Sequence, residues 1–168
     1  KPFTLKPDAW SWFDSTIRMA EKYGMYVLLD MHGAPGNQST DHTTGREKNN
    51  QLWYVDEKQE RMVWLWSEIA KRYRNHSSVA AYDIVNEPWN DFQATAKNKK
   101  MLDDLMVRCY DAVRKIDRNT TVVFGSFFDD IDFYGKPSER GWTNVMFEYH
   151  PYPGFFGWGK PDPWTHAE

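Results

Sequence analysis

Apolar residues recur along this chain in two alternating rhythms, and the alternation sets the elements. From Asp8, a side chain suited to cap a helix, Trp10, Phe13, Ile17 and Ala20 fall near one face and Gly24 closes the segment. Met25 to Met31 (MYVLLDM) is a short, almost wholly apolar run of strand length, as expected of a strand buried on both faces of a parallel sheet. A polar loop from His32 to about Val55 follows, long enough to point to function. Helical spacing returns between about Asp56 and Arg74, with Met62, Leu65, Trp66, Ile69, Ala70 and Tyr73 on one stripe that should cover a sheet.

Val79 to Val85 reads as a second strand, running into Asn86, Glu87 and Pro88, where proline forces the chain out of regular structure. A third helix, about Lys97 to Asp117, carries Leu102, Leu105, Met106, Cys109, Val113 and Ile116 on its apolar stripe, so Cys109 reads as a buried packing residue. Thr121 to Gly125 and Val145 to Tyr149 complete the strands, separated by a loop of acidic and aromatic residues. Helix alternating with strand, without internal repeat or linker, predicts one α/β domain over residues 1–168 built of right-handed βαβ units on a parallel sheet. In such folds chemistry gathers at the carboxyl ends of the strands.

Composition narrows the chemistry. With 21 Lys plus Arg against 24 Asp plus Glu the net charge is −3, so there is no basic field to attract nucleic acid. One cysteine excludes an internal disulfide, and no His/Cys spacing matches a zinc site, so metal catalysis is not expected. No apolar run approaches the roughly 20 residues needed to cross a bilayer. The N-x-S/T tripeptides at Asn37, Asn75 and Asn119 read as chance. Aromatic residues make up 17% of the chain, with nine Trp and nine Tyr, a surplus suited to stacking on pyranose faces. Trp53, Trp89, Trp142, Trp158 and Trp164 lie in predicted loops and are candidate sugar platforms, whereas Trp12, Trp64 and Trp66 lie in helices and are expected to pack.

The residues just after each strand are His32, then Asn86 with Glu87, then Ser126 to Phe128, then His150 with Tyr152. A carboxyl group among an amide, imidazoles and a phenol suits glycosidic cleavage. That reaction needs one carboxylic acid to protonate the departing oxygen and a second carboxylate to capture the oxocarbenium-like centre. No Ser or Cys nucleophile is positioned for acyl transfer. Glu87 is the candidate acid, Asn86 a donor to the sugar 2-hydroxyl, and His150 and Tyr152 candidates to orient the second carboxylate. Alternation along the last strand puts Met146, Glu148 and His150 on one side. Glu148 is therefore expected inside the sheet's curve, paired with an Arg or Lys, with a substitute catalytic carboxylate as the alternative. Asp129 and Asp130 read as a solvated loop.

These same residues resemble glycoside hydrolase family 5. Leu28 to Gly36 (LLDMHGAPG) looks like that family's third strand and following loop, Ile84-Val85-Asn86-Glu87-Pro88 like its fourth-strand acid/base motif, and His150-x-Tyr152 like its sixth-strand motif. The resemblance implies a partial (β/α)8 TIM barrel of about four parallel strands with flanking helices, lacking the first two strands and the last two. It implies a retaining, cofactor-free hydrolase of β-linked glucan with Glu87 as acid/base and His32, Asn86, His150, Tyr152, Trp89 and Trp158 lining the site. The family's nucleophile belongs to the seventh strand, beyond Glu168, so the isolated chain is expected to be weakly active or inactive. Exposed barrel-interior surface is expected to drive self-association or pairing with a complementary barrel fragment. β-1,4-glucan, β-1,3-glucan and mannan are not separated by these motifs, and a polymeric glucan implies an extracellular setting. Two other readings stay open: a non-catalytic glycan-binding module, and a half-barrel with no ligand.

Overall fold

The computed structural model describes residues 3–88, 94–126 and 131–150. Their elements run α1 (Ser11–Tyr23), β1 (Val27–Asp30), α2 (Asp56–Tyr73), β2 (Val79–Asp83), α3 (Ala96–Arg114), β3 (Thr121–Gly125) and β4 (Val145–Glu148), with four short 3-10 turns in the connections. The strands form one sheet in the order β1-β2-β3-β4, every pair parallel. This is an arc of a (β/α) barrel, in agreement with the expected fold class.

Register separates the two faces. Leu29, Tyr82, Val122 and Phe124 fall on the outer face, where they are buried in the main core together with Met62, Trp66 and Tyr73 of α2 and Leu102, Leu105, Met106, Cys109 and Val113 of α3. The stripes expected on both helices are the ones the core uses. Cys109 is fully buried, and burial pushes its thiol well above the ordinary range, so it packs and does not react.

Leu28, Asp30, Ala81, Asp83, Thr121, Val123, Gly125, Met146 and Glu148 share the inner, concave face. On the edge strands that face is open: Leu28 is 47% exposed and Met146 59%. The run Met25 to Met31 is thus not buried on both faces as its composition suggests, because Met25, Tyr26 and Leu28 are all exposed and Leu29 carries the burial of β1. The first helix also starts later than expected. Asp8 does not cap it through its side chain; its carbonyl accepts from the Ser11 amide at 3.0 Å and the Ser11 hydroxyl at 2.8 Å. Gly24 closes α1 at φ 63°, its amide directed to the carbonyls of Ala20 and Glu21.

Three tryptophan expectations are corrected. Trp12 does not pack but stands 83% exposed on α1. Trp53 and Trp142, expected as open platforms, are buried: Trp53 donates its indole N–H to the Gln38 carbonyl at 2.8 Å, and Trp142 lies among Phe124, Tyr110 and Tyr134 under the Arg140 guanidinium. An amphipathic indole in a loop can close a core as readily as it can meet a ligand. Trp66 packs as expected, and Trp64 meets Phe3 edge to face at 5.7 Å.

Candidate active site at the strand tips

The tips of β2 and β3 are each held by an aromatic side chain behind them. The Trp66 indole of α2 donates to the Ile84 carbonyl at 3.0 Å, three residues before Glu87, and the buried Tyr134 hydroxyl donates to the Gly125 carbonyl at 2.7 Å. Gly125 itself is a steric necessity, since a Cβ there would stand 2.8 Å from the Val85 carbonyl oxygen and 3.1 Å from Pro88 Cδ. β2 and β3 therefore approach more closely at their tips than any larger residue allows.

Between these anchors the chain turns through Glu87 at φ 44°, in the left-handed region that non-glycine residues seldom occupy. Such a conformation costs on the order of 1–2 kcal/mol and persists where its surroundings impose it. Its effect is to aim the carboxyl inward. The Glu87 side chain is 19% exposed, and its Oε1 lies 3.0 Å from His150 Nδ1, so β2 and β4 meet there across β3.

Asn86 is buried, and its amide donates to the Met31 carbonyl at 3.3 Å, which carries the ladder past the end of β1. A fully buried glutamine, Gln38, ties the two loops together. Its Nε2 donates to the carbonyls of His32 at 3.0 Å and Asn86 at 2.9 Å, while its Oε1 accepts from the Ala34 amide at 3.0 Å. Nothing in the local pattern around Gln38 marks it; a polar residue in a polar loop carries no periodicity signal.

The expected site residues therefore separate. Glu87 and His150 meet directly through their side chains, and Asn86 and His32 are joined through their backbones by Gln38. The His32 imidazole turns instead to Asp30, Nδ1 to Oδ2 at 2.8 Å, and is 68% exposed. Ser126 is buried at the end of β3. Tyr152, Trp89, Trp158, Trp164, Phe128, Asp129 and Asp130 lie outside the described residues.

Glu148 departs from the expectation that it pairs with an Arg or Lys. Its Oε1 lies 3.7 Å from His150 Nε2, so His150 stands between two carboxyl groups. Glu148 also acts on Asp83, whose carboxyl is pushed well above the ordinary carboxylate range, first by burial and then by the negative charges of Glu148 and Asp30. Among the described residues, no group of three or more His, Cys, Asp or Glu is arranged to hold a metal ion, and no helix is long and apolar enough to cross a membrane. An inward carboxyl, hydrogen-bonded to an imidazole at the carboxyl end of a parallel strand, has the elements of general acid/base chemistry on a bound ligand.

Known proteins resemble this chain in sequence and fold. The profile of Cellulase (glycosyl hydrolase family 5) matches residues 2–164. Among curated relatives, a beta-xylosidase of Phanerodontia chrysosporium is 32% identical over 99% of this chain and 34% of its own length. Endoglucanase C of Acetivibrio thermocellus is 28% identical over 96% of the chain and 44% of its own length. The chain thus spans between a third and a half of these relatives. Among solved structures, endoglucanase Cel5A of Thermotoga maritima superposes with a TM-score of 0.71 at 21% identity, covering 92% of this chain and 44% of that one, a likeness of fold.

Proposed function

This chain belongs to the cellulase family, glycosyl hydrolase family 5, and from that premise we propose that it carries the acid/base part of a retaining β-glucan hydrolase site, with Glu87 as the proton donor and acceptor. The observation that carries the reading is the Glu87 turn. A strained left-handed residue at a strand tip presents its carboxyl to an imidazole 3.0 Å away. In the first half-reaction the Glu87 carboxylic acid protonates the departing glycosidic oxygen; in the second, its carboxylate takes the proton of the attacking water. His150 orients the carboxyl through Nδ1, and Asn86 beside it donates to the sugar 2-hydroxyl. Tyr152, Trp89 and Trp158 complete the sugar contacts in this reading.

The nucleophile of a retaining reaction is a second carboxylate about 5 Å from the first, supplied by the strand that the family resemblance puts later in the barrel. The substrate class is a β-1,4-linked glucan, in keeping with the endoglucanase names of several relatives. A polymer of that kind is met outside the cell, and the protein is proposed to act there.

The test is hydrolysis of carboxymethyl-cellulose, laminarin and mannan by wild-type and Glu87→Gln forms of a barrel completed with the strand that carries the nucleophile, beside an aryl β-cellobioside whose leaving group needs no protonation. Loss of about 10²–10⁴ in turnover on polymer, with a much smaller loss on the aryl glycoside, is expected of a general acid. Equal turnover by the two proteins on polymer would reject the assignment. Preference for laminarin or mannan would correct the substrate while leaving Glu87 in its role.

A further inference from the structure

Beneath the strand tips the inner face of the sheet carries three carboxyl groups in a row. Asp30 of β1 is registered with Asp83 of β2, and Glu148 of β4 with Gly125 of β3. Asp83 is registered with Val123, one inner position before Gly125, so Glu148 lies diagonal to it across β3, and both Glu148 and Asp30 act electrostatically on Asp83. The remaining inner positions of β3, Thr121 and Val123, carry no ionisable group, and the helices pack on the opposite face. Among the described residues, the charged and titratable groups around Asp83 are therefore Asp30, Glu148 and, through them, His32, His150 and Glu87.

Asp83 is 96% buried, and its Oδ1 has no hydrogen-bond donor among the described residues. Ionised carboxylates only accept. Asp30 and Glu148 can therefore satisfy Asp83 only if a proton lies between the oxygens, and like charges this close in a buried site cannot all ionise together. Each outer member of the row also lies beside an imidazole: Asp30 is hydrogen-bonded to His32 at 2.8 Å, and Glu148 stands 3.7 Å from His150.

We propose that Asp83 is a positioning residue, a neutral carboxylic acid that donates its proton within the row Asp30–Asp83–Glu148 and so fixes the two carboxylates that hold His32 and His150 at the strand tips. Its link to catalysis rests on the assignment of Glu87 as acid/base, because His150 is the residue through which the row reaches Glu87. Asp83 itself touches neither substrate nor reacting atoms.

The experiment is a carbon-13 NMR titration of the aspartate carboxyls in this chain, with the His150 imidazole followed in parallel in wild type, Asp83→Asn and Asp83→Leu. The Asp83 carboxyl should stay at its protonated chemical shift through neutral pH while other aspartates titrate in the ordinary range. Asp83→Asn, which keeps a donor and carries no charge, should leave the His150 midpoint in place. Asp83→Leu, which leaves Glu148 without that donor, should raise the proton affinity of His150 by about threefold or more, in line with the loss of one hydrogen bond. An Asp83 carboxyl that ionises with the ordinary aspartates overturns the proposal, as does a His150 midpoint equal in all three proteins. Should the Leu variant fail to fold, the wild-type carboxyl titration decides alone. None of these readouts uses turnover, so Glu87→Gln with unimpaired hydrolysis would remove the acid/base reading and leave the carboxyl row standing.

Discussion

The Nδ1 of His150 lies 3.0 Å from Oε1 of Glu87, although 63 residues separate the two in sequence. An imidazole in that place fixes the direction of the carboxyl. His150→Gln is expected to lower kcat by on the order of tenfold while leaving KM nearly unchanged, because the contact matters to proton transfer more than to glycan affinity. Steady-state kinetics of a barrel completed with the nucleophile strand check this: kcat should fall while KM holds. A change confined to KM would place His150 in binding alone.

Strain at Glu87 gives a second expectation. Glycine adopts φ 44° without a Cβ penalty, whereas a β-branched residue suffers more than glutamate. Glu87→Gly should match or exceed wild-type stability by up to about 1 kcal/mol, and Glu87→Val should fall below it by at least as much. Urea denaturation of the three proteins measures the order. Greater stability in the variant that abolishes the carboxyl would be the expected signature of a residue held for chemistry.

Most of the architecture was legible from periodicity. β3 begins and ends where its apolar run does, and the α2 and α3 stripes named Met62, Trp66, Leu102 and Cys109 as core. Glu87 was legible because a strand, an amide and a proline frame it, and His150 because it follows a strand. Four kinds of fact were not legible. Gln38 joins two loops through its side chain, and long-range side-chain bonds leave no local pattern. Trp53 and Trp142 were misplaced because a loop position does not reveal whether the loop folds back over the core. Leu28 was misplaced because composition cannot say which face of a curved sheet is covered, and Glu148 because its neighbour is His150 of the same strand face, where charge pairing looked for an Arg or Lys.

Acid stability should depend on the contact between α1 and α2. Arg72 donates to both Asp14 carboxylate oxygens, Nε to Oδ1 at 2.8 Å, and the Tyr73 hydroxyl adds a bond at 3.0 Å. The guanidinium, foremost, holds the Asp14 carboxyl below its ordinary range. A folded-state pKa below the unfolded one means the native state binds fewer protons. The stabilisation is then complete above the unfolded carboxylate pKa and lost as pH falls through the folded one. Asp14→Asn should flatten the fall in Tm below about pH 4 and lower Tm at neutral pH. Parallel acid limbs in the two proteins would show that the pair adds nothing.

Exposed apolar surface gives the last expectation. Leu28 and Met146 stand open on the inner face, Trp12 and Met19 on α1, and β1 and β4 are the sheet's edges. The 168-residue chain is therefore expected to associate with itself, sedimenting at micromolar concentration faster than a monomer. Leu28→Lys combined with Met146→Lys should shift the population toward monomer. A clean monomeric boundary for the unaltered chain would contradict the expectation.

The hydrogen bonds from Trp66 to Ile84 and from Tyr134 to Gly125 have a consequence for engineering. Residues that an engineer would class as interior filling also set where the Glu87 turn sits. Exchanging the indole for an aliphatic side chain would strip a donor from the chain three positions upstream of the carboxyl, so thermal hardening and the placing of Glu87 in this domain are tuned by shared atoms.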